Sequence, residues 1–347
     1  MLIRETRPVS LGLQGGGTYG AFTWGVLDRL LDEEHLQFDS FSGSSAGAIN
    51  AVVLADGYAH GGGRQGARAA LTRFWTTLGS LATFSPMGRT PLDRLLGGWA
   101  MDLSPAYHLL EMAGALAGPT LETPLSMNPL RNFLTTMVDF DRVRGCEELQ
   151  LFIAATNVKT GLGRMFTRAE LDPQRVLASA CLPTVFAAAE VDGESYWDGS
   201  YVANPPLAPL LERPARDVIV VQNNPIARAT APRSQADIAN RSNEIAFNIS
   251  FAREMSTLLN AGGVPEEGRG ATMTFAPVRV HLISGAELLA QYEISSKFNA
   301  EMAFLQHLHD AGVAAAETWL QEHGANLGVR TTVDKVPVFY PDRAASA

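Results

Sequence analysis

Cysteine is nearly absent from this chain: Cys146 and Cys181 are its only two in 347 residues. Two are too few for a disulfide framework or a zinc cluster, and a reducing compartment is the expected setting. Long apolar runs are missing too. The most apolar long stretch, residues 99–118, is broken by Asp102, Pro105, His108 and Glu111, whereas a spanning helix needs about 20 nearly uncharged residues. Positive charge is scarce, with 27 Lys and Arg against 36 Asp and Glu for a net charge of -9. With no dense basic run, binding of nucleic acid by phosphate neutralisation is excluded. Permanent adhesion to an anionic membrane by charge alone is disfavoured for the same reason. Residues 1–8 lack the apolar stretch and small-residue cleavage site of a secretory signal, so a cytoplasmic protein is expected. No internal repeat is visible, and no linker is strong enough to split the chain into independent domains.

What is present is globular: 46% hydrophobic and 18% charged residues. Residues 9–13 form a short apolar run ending in Gln14 and three glycines, and residues 21–31 then repeat apolar positions at helical spacing. The pattern of strand, tight turn and helix recurs at 38–42, 43–47 and 48–58. A glycine-rich polar loop is predicted at 61–66 and a helix at 68–78. Residues 85–129 mix Pro, Gly and large apolar side chains and read as a cap or lid. Further strands are predicted at 149–156, 164–167, 195–197, 217–222 and 278–283, with helices at about 172–180, 234–260 and 296–322. Alternation of strand and helix predicts an α/β fold with a mostly parallel central sheet and helices on both faces.

Gly43-Ser44-Ser45-Ala46-Gly47 is the only G-x-S-x-G in the chain. It falls where a strand passes into a helix, the setting a nucleophile elbow requires. Small flanking residues admit the sharply turned serine, and the N–H of Ala46 becomes a donor to a developing oxyanion. Gly15-Gly16-Gly17-Thr18-Tyr19-Gly20 is a second strand-to-helix loop with exposed N–H groups suited to negative charge. The same glycines also fit a dinucleotide-binding pattern, with Asp39 as its acid. Against that reading, Asp39 lies near the start of the second strand, which then feeds a second glycine turn containing Ser45. His60-Gly61-Gly62-Gly63 imitates an esterase oxyanion motif but follows the nucleophile, where glycines simply end a helix.

A serine hydroxyl needs a base. His281 lies inside an apolar strand, His307, His309 and His323 are spaced on a long helix, and His35 and His108 lack a glycine-rich setting. Asp198 is the better partner, because it ends a strand, Gly199 follows it, and its carboxylate is ionised at neutral pH. A triad of Ser45, Asp198 and His281 can still be written, although Ser45 comes after only two strands.

In their order and spacing, the loop at 15–20, the elbow at 43–47 and Asp198-Gly199 resemble the patatin-like phospholipase family. So do Ala178-Ser179-Ala180-Cys181-Leu182-Pro183 and Asn204-Pro205-Pro206. The resemblance covers about residues 8–212, taken as a catalytic core; residues 213–347 are expected to complete the sheet and add long helices without forming an independent domain. It implies a three-layer α/β/α fold and a Ser45–Asp198 dyad without histidine. It also implies an oxyanion hole from Gly15, Gly16 and Gly17 and hydrolysis of lipid acyl esters through an acyl-enzyme, with no cofactor and no metal. The implied partner is a lipid or acyl-ester substrate, reached through transient contact with a membrane surface. A broad esterase, an acyltransferase and a lipid-binding module with little turnover are the alternatives. The family usually has Lys or Arg where this chain has Tyr19, and a smaller residue where it has Ser200.

Overall fold

The structure, a computed structural model, describes residues 6–83, 88–95, 98–101, 104–105, 129–183, 186–232, 235–261 and 278–333. Most of the segment read as a cap, 85–129, and His108 lie outside them. At its centre is an eight-stranded sheet. Parallel pairing links β3 (Gln150–Asn157), β2 (Leu36–Gly43), β1 (Arg7–Leu13), β7 (Asp217–Gln222) and β8 (Arg279–Ser284) in that order. β4 (Gly163–Thr167), β6 (Glu194–Asp198) and β5 (Ala189–Val191) add antiparallel pairings at the β3 side. The chain is therefore α/β with a mostly parallel sheet.

β7 shows why its sequence reads as a continuous apolar run. Ile219 and Val221 join a large core with residues such as Phe22, Leu27 and Leu54, while Val218 and Val220 join a second core with Phe251, Met255 and Leu258. Successive side chains of a strand point to opposite faces, so both faces of the sheet are covered. On the first face pack α1 (Gly20–Leu31), α2 (Ala46–Gly57) and α3 (Gly63–Thr83), with the helix Met302–His323 against α1. That last pair meets at glycines: a Cβ on Gly25 would lie 1.9 Å from the His309 carbonyl oxygen, and one on Gly312 2.1 Å from that of Phe22. The second face is covered by the long helix Gln235–Ala261, whose residues Phe251, Met255 and Leu258 supply the contact.

Three expectations shift. The predicted loop at 61–66 is helical: a π-type turn, Tyr58–Gly62, runs directly into α3, with Gly61 (φ 92°) and Gly63 (φ 50°) absorbing the kink. A Cβ at any of Gly61, Gly62 or Gly63 would touch nothing, and His60 is engaged with Arg142, away from any glycine cradle. The helix expected from 296 begins at Met302, because Ile294–Phe298 forms a separate 3-10 turn. β5 was not anticipated.

One feature of the sheet sets the site. Phe152 and Ile153 of β3 pair with both β2 and β4, and Ala155 and Thr156 pair with both β4 and β6. A strand has two edges, so β2 and β6 share the edge opposite β4. β2 ends at Gly43 against Ile153, and β6 ends at Asp198 against Ala155, two residues further along. The chain ends leaving these two strands thus meet.

Candidate active site

Ser45 sits between β2 and α2 with φ 54° and ψ -124°, one of two non-glycine residues with positive φ among those described. Such a backbone persists only where its surroundings over-determine it. Here they do. The Ser45 N–H donates to both the carbonyl (3.1 Å) and the hydroxyl (3.0 Å) of Ser179, and the Ser44 hydroxyl donates to the Ala203 carbonyl at 2.6 Å. Space dictates the flanking glycines as well: a Cβ on Gly47 would lie 2.1 Å from the Leu13 carbonyl oxygen, and one on Gly43 2.6 Å from the Gly47 carbonyl carbon.

Asp198 is brought to Ser45 by the strand ends described above, and its N–H donates to the Cys181 carbonyl at 2.9 Å. The turn at residues 179–181 therefore holds the Ser45 backbone through Ser179 and the Asp198 backbone through Cys181. Asp198 is 1% exposed and Ser45 8%. The carboxylate accepts a hydrogen bond from the Ser200 N–H at 2.8 Å, and the Ser45 and Ser200 side chains favour its charged form. Burial pushes the Asp198 carboxyl up to about 6, against the pull of those neighbours. Burial and then the Asp198 charge push the Cys181 thiol up to about 12, so it is inert at neutral pH.

The glycine loop passes beside this pair. A Cβ on Gly15 would lie 2.7 Å from both Ser45 Cβ and Ser200 Oγ, which is why no larger residue fits. Gly16, Gly17, Ser45, Asp198, Phe247 and Phe298 all line one narrow cleft. The N–H groups of Gly16, Gly17 and Ala46 make no hydrogen bond to any described residue. Gly15 differs, and here the expected set of donors is corrected: its N–H is committed to Asn204 Oδ1 at 2.7 Å. Asn204, in the Asn204-Pro205-Pro206 segment, also accepts from the Ser200 hydroxyl at 3.3 Å.

No histidine among the described residues lines the cleft. The written alternative with His281 is corrected: its Nε2 meets Asp217 Oδ1 and its Nδ1 meets Thr332 Oγ1, each at 3.0 Å. It is on β8, three strands from β2, or roughly 14 Å at the usual strand spacing. Asp39, the acid of the dinucleotide reading, is bound by Arg213 at 2.9 and 3.0 Å. Among the described residues no group of three or more His, Cys, Asp or Glu is arranged to hold a metal ion. No described helix is long and apolar enough to cross a membrane.

Tyr19 is buried, its hydroxyl 2.9 Å from Ser296 Oγ. A cation does reach the cleft, from elsewhere: Lys297 lines it, with Nζ 2.7 Å from Glu244 Oε1 and 5.5 Å from the centre of the Tyr19 ring. Burial raises the Glu244 carboxyl, but Lys297 and Arg228 outweigh it and hold it at about 2. Sequence reasoning missed Lys297, Glu244 and the pair Asn223-Asn224. The one available signal was position, since Asn223 and Asn224 directly follow a buried parallel strand, and sites in such sheets gather at the carboxyl ends of strands.

A search of curated protein sequences finds no match. Among solved structures, VipD from Legionella pneumophila is similar at 14% identity and a TM-score of 0.33, over 87% of this chain and 67% of that one. The heterodimeric ExoU–SpcU complex from the type III secretion system of Pseudomonas aeruginosa gives 16% identity and 0.33, over 91% of this chain and 53% of the matched one. Neither likeness is close enough to bear on the site. The family comparison is of another kind: residues 11–211, which contain both glycine turns, Ser45, Asp198 and Asn204, match the model described as patatin-like phospholipase, and the chain belongs to that family of lipid-hydrolysing enzymes.

Proposed function

We propose that the protein hydrolyses acyl esters of phospholipids or lysophospholipids through a Ser45–Asp198 dyad and an acyl-enzyme intermediate. The observation that carries this reading is the placing of Ser45 and the buried Asp198 carboxylate in one narrow cleft, next to the Gly16, Gly17 and Ala46 N–H groups, which make no hydrogen bond to any described residue. Ser45 Oγ attacks the ester carbonyl carbon as its proton passes to Asp198. The carbonyl oxygen, now negative, accepts hydrogen bonds from Gly16, Gly17 and Ala46 N–H; each well-placed donor of this kind contributes on the order of 100-fold or more in rate. The tetrahedral intermediate collapses, Asp198 returns the proton to the departing alcohol, and the acyl group stays on Ser45. Water repeats the sequence with Asp198 again as base, releasing the fatty acid and restoring the hydroxyl.

A carboxylate of ordinary basicity is a poor acceptor for a serine proton. Burial supports the role by raising Asp198 to about 6, which leaves it about 90% ionised at pH 7 yet more basic than an exposed aspartate. Leu182, Phe247 and Phe298 in the cleft wall suit an acyl chain. The test is fatty-acid release from mixed phospholipid and lysophospholipid vesicles, followed by mass spectrometry. Wild-type protein is expected to release acid while Ser45→Ala and Asp198→Asn do not; equal release by Ser45→Ala would reject the dyad.

A further inference from the structure

Behind the glycine loop lie three side chains that the mechanism above does not use. Asn224 follows β7, Lys297 belongs to the turn Ile294–Phe298, and Glu244 to the helix Gln235–Ala261. Lys297 Nζ is 2.7 Å from Glu244 Oε1 and donates to Asn224 Oδ1 at 3.1 Å. Asn224 Nδ2 donates in turn to the Gly15 carbonyl. The Asn224 backbone is fixed as well, its N–H donating to Gln14 Oε1 at 3.0 Å.

The Gly15 carbonyl and the Gly16 N–H belong to one planar trans peptide and point in opposite directions. A donor that draws the carbonyl toward the end of β7 therefore turns the Gly16 N–H the other way, and Gly16 lines the cleft with Ser45 and Asp198. We propose that Asn224 is a positioning residue for the Gly16 N–H, and that Lys297 fixes which end of the Asn224 amide faces the loop. An ammonium only donates and a carbonyl only accepts. One orientation of the amide satisfies both; the flipped one sets Oδ1 against the Gly15 oxygen and Nδ2 against Nζ. In a buried chain of hydrogen bonds the Lys297 charge also polarises each successive donor. Glu244 keeps the ammonium in place.

The inference rests on the reading of Ser45 and Gly16 given above. Asn224→Asp keeps the shape and the contact with Lys297 but removes the donor to Gly15. It is expected to lower kcat on the order of 100-fold with KM unchanged, the pattern for an interaction made in the transition state. Lys297→Met is expected to lower kcat about 10-fold, again without a change in KM, through loss of amide orientation. For both variants, affinity for a long-chain alkylboronic acid, a tetrahedral mimic, falls in proportion to kcat/KM. A kcat within threefold of wild type for Asn224→Asp, or a loss confined to KM, overturns the proposal. If Asn224→Asp does not fold, Lys297→Met carries the same test alone. Wild-type protein that a fluorophosphonate fails to label at Ser45 would sink the nucleophile assignment instead; labelled wild type with an unaffected Asn224→Asp sinks only the positioning role.

Discussion

Replacing Asp198 by asparagine should stabilise the fold while abolishing its chemistry, because the ionised carboxylate is buried at a cost. Asparagine keeps an acceptor for the Ser200 N–H and nearly the same volume. The folded protein binds the Asp198 proton more tightly than the unfolded chain does, at about 6 against 3.8. At 1.36 kcal/mol per pH unit, that gap amounts to about 3 kcal/mol of stability forgone by the wild type. The sign follows from proton binding. Below pH 3.8 both states are protonated and nothing is lost; the penalty grows as pH rises between the two values and is complete above pH 7. Between pH 4.5 and pH 7 the advantage of Asp198→Asn should therefore widen by about 2 kcal/mol. Urea unfolding of both proteins at half-unit pH steps measures it. An advantage independent of pH, or a variant that becomes relatively less stable as pH rises, would refute the argument that the carboxylate is ionised and desolvated.

Two further outcomes follow from the same geometry. For a soluble short-chain ester, kcat/KM should rise with pH to a plateau above about pH 7, with its midpoint near the Asp198 value of about 6; a midpoint near 4 would mean that the carboxylate is solvated. His281→Ala should keep the reactivity of Ser45 while losing about 2 kcal/mol or more in denaturant unfolding, since it removes a buried partner of Asp217; loss of fluorophosphonate labelling in folded His281→Ala would restore a histidine to the mechanism.

The parts of the site legible in the sequence are those whose cause is local. Gly43 and Gly47 are demanded by backbone contacts within a few ångströms, Ser45 by the turn between them, and the Asp198-Gly199 corner by the end of a strand. Residues 217–222 could be read as a strand with the observed bounds because burial on both faces leaves a continuous apolar run. β5, at three residues, is too short to show alternation. Gly61 and Gly63 looked like a loop because sequence cannot distinguish glycines that end a helix from glycines that kink one. Lys297 and Glu244 lay beyond reach for a different reason: 53 positions separate them in sequence, and only the packing of the turn Ile294–Phe298 against the glycine loop brings the ammonium to Asn224. Tyr19, taken as a departure that removes a cation, stands with its ring beside one supplied by the carboxy-terminal third.

If the dyad works as proposed, Ser45, activated by Asp198, receives the acyl group. Rapid acid quench during turnover of a slow ester, followed by peptide mass spectrometry, captures that acyl group. The wild type should carry an acyl mass increment on the peptide containing Ser45, absent from Ser45→Ala and from Asp198→Asn. An increment on another residue, or undiminished acylation in Asp198→Asn, would contradict the dyad.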